Sequence, residues 1–488
     1  MKDMSREYEA QALRLLEQPE ALSFSPVPLP QAKGGLLLDQ DGRSIPIINK
    51  SAERIRPGQI ALPEPLEPLR SHISDKAARQ SDGDWICLNG SLACLTIIKE
   101  AKLLSQRYCQ RLERFLSLRP CLCPERRTGL GLLLDRKGGV FPVALLLEGC
   151  GAVEDGFAYP LAMNLELTTQ CPLRCPQCYV HLQAGRHMPR EVAIRRLEEA
   201  GRLGVDTVNL SGGETMCYPW LFEIIECAVK NGIDPSVALS GFGINDKSLD
   251  RLLSAGVRGI YVSLNGPTAE INAHTRDGYE LAIHLLSLLR DRGFRNTYIN
   301  WVVHDSNADL LPEMLELAEE YKVHGLMVMA FKPDSQNALP SLPSREQMQT
   351  LARQIRDYQG PLDLCIESCY SSLKALVGQS FFGNRNRGPF RGCGAGRDSF
   401  SVGLDGRLSP CRHIELFEDR DSIEEYWNQS PVLQQIRDAQ KSPEEPCASC
   451  RFEGACRHCM AVNLKLHGRL SRGDATCPLA DKREAGHV

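Results

Sequence analysis

The sequence predicts an α/β protein: a run of βα units on a parallel sheet, preceded by an N-terminal α+β accessory domain and followed by a cysteine-rich segment. Three observations carry this reading. From about 161 to 335, short β-rich runs alternate with helical stretches whose apolar residues recur every three or four positions. Before 158 the pattern is one of paired hydrophobic runs around turn residues, and after about 360 periodicity fades while Gly, Cys and Arg take over. The 488 residues suffice for two to four domains, at ~100–200 residues each. The boundaries read as 1–157, 158–360 and 361–488.

In the first domain, Leu36-Leu37-Leu38-Asp39, Gly42 and Pro46 recur 96 residues later as Leu132-Leu133-Leu134-Asp135, Gly138 and Pro142. Each set reads as a hairpin, so a duplicated β element is expected. Between them, Ser91 to Leu118 reads as one long helix, and Pro26 to Pro30 and Leu62 to Leu69 as connectors. In the second domain six strands are predicted: Met163 to Thr168, Thr207 to Leu210, Val237 to Ser240, Gly259 to Leu264, Tyr298 to Val303 and Leu326 to Phe331. Ala193, Ile194, Leu197 and Ala200 form one helical stripe, Leu221, Ile224, Ile225 and Ala228 a second, and Leu311, Leu315 and Ala318 a third. Glycines 204, 232, 256, 293 and 325 stand where left-handed helix caps belong.

Composition narrows the class of function. Hydrophobic residues make up 42% and charged residues 24%, which excludes a disordered or fibrous chain. Lys+Arg 57 against Asp+Glu 61 leaves a net charge of -4, with no global attraction to nucleic acid. The N-terminal residues Met1 to Glu7 carry charge where a signal peptide needs an apolar core, and the longest uncharged apolar stretch, Trp85 to Ile98, has 14 residues. A bilayer span needs ~20. A soluble, cytoplasmic protein without membrane or nucleic-acid partners is therefore expected, and in that compartment the 20 cysteines read as thiols and metal ligands rather than disulfides.

Cys171, Cys175 and Cys178 follow the first predicted strand, at the strand end where βα barrels place their chemistry. Three thiolates from one tight loop would leave one iron of a cubane open to a chelating molecule. A zinc site would close with a fourth ligand, for which His181 stands nearby. One βα unit downstream, the second strand ends in Gly212-Gly213-Glu214, where glycines permit close backbone approach and a carboxylate can accept from an ammonium. Together these motifs resemble the radical S-adenosylmethionine (radical SAM) superfamily over about residues 160 to 335. The resemblance implies a partial (β/α)6 TIM-like barrel, a [4Fe-4S] cluster on the three cysteines, and the SAM amine on Gly212, Gly213 and Glu214. It further implies SAM contacts from Ser240, Ser263 and Arg276. Gln177 departs from the family, which often has an aromatic residue before the third cysteine, to pack on adenine.

Cys393 and Cys411, then Cys447-x2-Cys450-x5-Cys456-x2-Cys459, then Cys477 resemble the SPASM extension of that superfamily, with two auxiliary [4Fe-4S] clusters. The resemblance gives Cys447, Cys450, Cys456 and Cys477 to an outer cluster and Cys393, Cys411 and Cys459 to an inner one. Some relatives place a fourth inner cysteine six residues after the first, and here Ser399 stands there. An open iron is the expectation, with Cys365 or Cys369 the thiols that would otherwise complete the set. Both also read as small buried hydrophobes. Zinc knuckles are the alternative for Cys447 to Cys459, and Arg385, Arg387, Arg391 and Arg397 could steer an acidic substrate but read first as a solvated loop. The function implied is reductive cleavage of SAM to a 5′-deoxyadenosyl radical that modifies a peptide or protein, by a thioether or other crosslink or by oxidation, with an electron donor such as flavodoxin or ferredoxin. A sulfatase maturase or small-molecule dehydrogenase is the rival enzyme, and a non-catalytic iron-sulfur or zinc adaptor the rival of another class.

Overall fold

The computed structural model describes residues 160–180, 185–377, 393–452, 456, 458–471, 473, 477 and 479, together with six strands nearer the N-terminus. The chain divides into two compact units, with the division after Ala158. The first unit's strands are β1 (Ser23–Pro26), β2 (Gly35–Leu38), β3 (Ser44–Ile48), β4 (Trp85–Asn89), β5 (Thr128–Asp135) and β6 (Val140–Leu146), in the order β1-β4-β5-β6-β2-β3. The repeat seen in sequence is a repeat of pairing. β2 and β3 are antiparallel with Leu36 opposite Pro46, and β5 and β6 are antiparallel with Leu132 opposite Pro142. The two hairpins share one register over Leu36–Leu38 and Leu132–Leu134 and join through parallel β2 and β6. Pro26 closes β1 rather than opening a connector. The helix read at 91–118 and the connectors at 27–30 and 62–69 lie outside the described residues, as does His181.

The second unit is an open partial barrel on a sheet of nine strands. All six predicted strands are present: β7 (Ala162–Thr168), β8 (Thr207–Gly212), β9 (Asp234–Leu239), β10 (Gly259–Ser263), β11 (Thr297–Val303) and β12 (Gly325–Ala330). Three more extend the sheet: β13 (Asp363–Ile366), β14 (Ser399–Val402) and β15 (Leu408–Ser409). The order is β13-β12-β11-β10-β9-β8-β7-β14-β15, parallel throughout except for β15. Periodicity missed these strands because two to four residues are too few to show a period. β14 lies beside β7 with Ser399 opposite Ala162 and Val402 opposite Leu165, so sheet pairing continues well past residue 360.

The helices cover the sheet as their stripes require. Ala193, Leu197 and Ala200 of the helix Arg190–Leu203 and Leu221, Ile224, Ile225 and Ala228 of the helix Leu221–Lys230 are buried against inward residues such as Leu165, Val208, Leu210 and Val237. Glycines 204, 232, 256 and 293 adopt positive φ as expected. Gly325 does not. It begins β12, where a Cβ would come 2.1 Å from the Asp363 carbonyl oxygen, and the left-handed residue after the helix Leu311–Glu320 is Lys322.

Candidate active site and cysteine clusters

The three-cysteine loop leaves the carboxyl end of β7 and is fastened on both sides. Toward β8, Gly213 N donates to Thr168 O at 2.6 Å and Glu214 N to Gln170 O at 2.8 Å. Toward the loop after β10, Gln177 N donates to Thr275 O at 3.3 Å and Arg174 N to Asp277 Oδ2 at 3.3 Å. The two glycines are needed for the first fastening. Gly212 has φ +137°, and a Cβ on Gly212 or Gly213 would stand 2.2 Å from Thr168 O or 2.4 Å from Gln170 O. The chain's own backbone leading into Cys171 makes a close approach to both glycines.

Glu214 is 2% exposed. Its Oε1 accepts from Met216 N at 3.1 Å, and its Oε2 from Ser240 N at 2.9 Å and from the Ser240 hydroxyl. A carboxylate offers about four acceptor sites, so about one is left for a ligand. Burial pushes the Glu214 pKa up, against the bonds from Ser240 and Met216 and the charge of Arg276. The same neighbourhood raises the thiols. Burial pushes Cys171 up to about 11, eased by a bond from the Leu173 backbone and reinforced by Glu214, Cys175 and Cys178. Cys178 is raised by burial and lowered in part by Arg276. Arg276 Nε is buried with no hydrogen-bond partner among the described residues, as an arginine waiting for an anionic ligand group would be. Ser263 ends β10, half-buried. Ser240 is engaged with Glu214 before any ligand arrives.

Sequence reasoning missed the groups that hold these. Buried Asn265 donates to Thr275 Oγ1 at 2.9 Å and accepts from Val302 N at 3.1 Å; Asn272 accepts from Asn265 N at 2.8 Å and donates to Arg276 O at 2.8 Å. Asn307 adds a bond to Asn265 O at 2.8 Å. This amide cluster fixes the Arg276 loop against the ends of β10 and β11. Gln177 meets the His304 ring, which lies 4.3 Å from the Phe331 ring. Burial lowers His304 to about 4, so the imidazole is neutral at pH 7 and donates from Nε2 to the Gln177 carbonyl. Three buried asparagines, two in loops and one in the short helix Ala269–Ala273, give no periodic signal, which is why sequence reading passed over them.

A second polar network fills the barrel interior. Arg412 donates to Asn164 Oδ1 at 2.5 Å and Asn209 Oδ1 at 2.8 Å, and lies 3.6 Å from Glu166. It also reaches the Tyr179 hydroxyl at 3.4 Å, and the Tyr179 and His413 rings are 4.6 Å apart. Tyr179 follows Cys178 in the chain, and Arg412 and His413 follow Cys411, so two cysteine sites are joined through these contacts.

The C-terminal thiols form two groups. Cys447, Cys450, Cys456 and Cys477 line one cavity of about 100 Å³, which Cys369 and Cys459 line as well. Cys393 and Cys459 are buried, and Cys369 and Cys411 pack against the same apolar patch. The neighbouring Cys393 thiol and burial hold the Cys369 pKa well up, eased in part by Cys459, and Cys411 is pushed up to about 11 by burial and by the charge of Cys459. Cys365 stands apart on β13, its Sγ 3.5 Å from Asp363 Oδ2. Lys332 lies beside the thiols, bonded to Glu367 at 2.9 and 3.0 Å; burial would lower it, but Glu367, Cys369 and Cys459 hold it raised and charged. Arg397 pairs with Asp398 at 3.0 Å; Arg385, Arg387 and Arg391 lie outside the described residues. Among the described residues no three His, Cys, Asp or Glu side chains surround a single ion. Thiolates on a cubane each bind a different iron, so the cysteine groups suit clusters without sharing one ion centre.

A thiol triplet that leaves one iron of a cubane free, next to a carboxylate with an acceptor site to spare, suits a cluster-bound amino acid, the arrangement of the S-adenosylmethionine radical enzymes. The profile of the Radical SAM superfamily matches residues 165–318, and that of SPASM, an iron-sulfur cluster-binding domain, matches 393–451. The chain belongs to the radical SAM superfamily, in its SPASM branch, and its cofactors are [4Fe-4S] clusters and S-adenosylmethionine. It is 30% identical over 342 residues to the PqqA peptide cyclase of Gluconobacter oxydans, covering 66% of this chain and 91% of that one. It is 27% identical over 346 residues to the mycofactocin maturase MftC of Mycobacterium ulcerans, covering 66% and 89%. The structure of Streptococcus suis SuiB bound to S-adenosylmethionine shares the fold, with a TM-score of 0.55 at 18% identity over 66% of this chain and 78% of that one. No helix among the described residues is long and apolar enough to cross a membrane.

Proposed function

We propose that this enzyme modifies a peptide or protein substrate, as a maturase in which Cys171, Cys175 and Cys178 hold the SAM-binding cluster. The observation that carries the reading is the hydrogen-bonded union of the cysteine loop with Gly212 to Glu214 at the carboxyl ends of adjacent strands. When bound, SAM and its cluster supply a 5′-deoxyadenosyl radical that removes hydrogen from an unactivated C–H bond. The chain's part is placement: Glu214 accepts the ligand amine with its remaining lone pair, Arg276 offers its unpartnered Nε to the carboxylate, and the asparagine cluster keeps that arginine in place. Peptide modification is supported by the relatives, named a peptide cyclase and a maturase. The electron donor is read as a flavodoxin- or ferredoxin-type protein.

The test adds dithionite and SAM to the anaerobically reconstituted chain. Formation of 5′-deoxyadenosine, abolished in Cys175→Ala, is the expected result; none from the parent, or a near-parental rate in the variant, sinks the assignment. Residues 1–157 are read as the substrate grip, since outer strands β1 and β3 could take up an extended peptide by backbone pairing. Their removal should spare uncoupled 5′-deoxyadenosine formation and cut substrate modification steeply; full modification by a soluble truncated enzyme would refute the grip.

A further inference from the structure

We propose that Cys369 is the fourth protein ligand of the inner auxiliary cluster, closing it against a substrate thiol. The inference rests on the reading that Cys393, Cys411 and Cys459 hold that cluster. Four segments bring four thiols to one apolar patch: the turn between β13 and the helix Ser371–Val377, the strand approach before β14, the segment after β15, and the start of the helix Met460–His467. Cys369 packs against the patch that holds Cys393 and Cys459 and lines one cavity wall with Cys459, and no other unassigned thiol among the described residues stands there. Ser399, the position of the expected fourth ligand, belongs instead to β14. Its backbone pairs with Ala162 and donates to Gly394 O at 3.0 Å, and its Oγ lies so near Gly394 that a Cβ there would come within 2.9 Å of it. Cys365 is occupied beside Asp363 on β13.

The turn that presents Cys369 is itself built for the task. Tyr370 N donates to Glu367 O at 2.9 Å and the Ser371 hydroxyl to Ser368 O at 3.3 Å, so the residue between them has little freedom. Lys332, ion-paired with Glu367 at 2.9 Å, lines the same cavity as Cys369 and Cys459. A four-thiolate inner cluster accepts or passes an electron without binding the substrate's sulfur. The open iron expected from Ser399 is thereby replaced by a closed set whose fourth ligand lies 24 residues ahead of Cys393 in the sequence.

The experiment uses the full chain with Cys171, Cys175 and Cys178 replaced by Ala, reconstituted with iron and sulfide, so that only auxiliary clusters report. The parent should hold about eight irons, and its reduced EPR spectrum should be unmoved by 2-mercaptoethanol. Cys369→Ala should either give a spectrum that shifts with the added thiol or retain only about four irons. Cys369→Ser should keep the iron with an altered spectrum, and Cys365→Ala should match the parent. A parent spectrum that shifts with thiol, a Cys369→Ala variant identical to the parent, or equal iron loss in Cys365→Ala would overturn the assignment. A parent holding zinc, or only about four irons, would instead remove the inner cluster itself, and the ligand with it.

Discussion

Replacing Glu214 by Gln separates the carboxylate's two tasks. In the native site one oxygen accepts from Met216 N and the other from Ser240 N and the Ser240 hydroxyl. An amide has only one oxygen, so its NH2 must face a backbone N–H. The cheaper orientation keeps the oxygen toward Ser240 and loses the bond from Met216. A lost hydrogen bond to a charged group costs about 1.5–3 kcal/mol, and removing a buried charge gives part of that back. Folding stability should therefore fall by only about 1–2 kcal/mol, as read from denaturant midpoints. SAM binding has no such compensation. Losing a charge-assisted bond to the amine should weaken Kd by about 10–150-fold, measured by titration of SAM into reconstituted protein. Acidity should imitate the substitution in SAM binding alone, not in stability. Burial raises the Glu214 pKa, so the folded apoprotein holds that proton more tightly than the unfolded chain does. Its contribution to apoprotein stability is thus fully present below the ordinary value of about 4.3 and is lost as pH rises through the raised value. SAM affinity should run the other way, falling on acidification. A folded Glu214→Gln protein that binds SAM as tightly as the parent would refute the amine-acceptor role.

Two further outcomes follow from packing. Gly213→Ala drives a Cβ to 2.4 Å from the Gln170 carbonyl; the backbone there cannot give, so the reconstituted chain should lose about four of twelve irons while its auxiliary clusters stay. Glu367→Gln leaves Lys332, 9% exposed in its side chain, without its counter-charge and should cost about 3–5 kcal/mol in denaturant unfolding. Lys332→Met with Glu367→Leu should recover most of that loss, and a double variant weaker than either single one would contradict the ion-pair account.

Much of the barrel could be read from the chain because each βα unit carries a long enough period. The stripes Leu221, Ile224, Ile225, Ala228 and Ala193, Leu197, Ala200 need a full two turns, and they have them. The strands Asp363–Ile366 and Ser399–Val402 do not, and only pairing with β12 and β7 makes them strands. The cysteine triplet and Gly-Gly-Glu stand out because their spacing is local. Cys369 and Arg412 act through contacts that span 24 to 248 residues, so no local window holds both partners. Gly212 and Gly213 were legible as a place of close approach, and Thr168 to Gln170 of the chain itself lie at that distance.

The parallel pairing of β14 with β7 has a consequence for how electrons can be governed. The strand that delivers Cys171 is laced on one side to the strand ending in Glu214 and on the other to the strand that follows Cys393 and leads to Cys411. On the proposed cluster assignment, donor and acceptor stations are thus riveted to a single slab, with Tyr179 and Arg412 as a crosspiece. A rigid frame of this kind cannot widen or shorten the gap an electron must cross. Control over the flow then falls to what varies on a fixed frame: the charge near each station, set by groups such as Lys332, and the moment at which a substrate excludes water from the space between them.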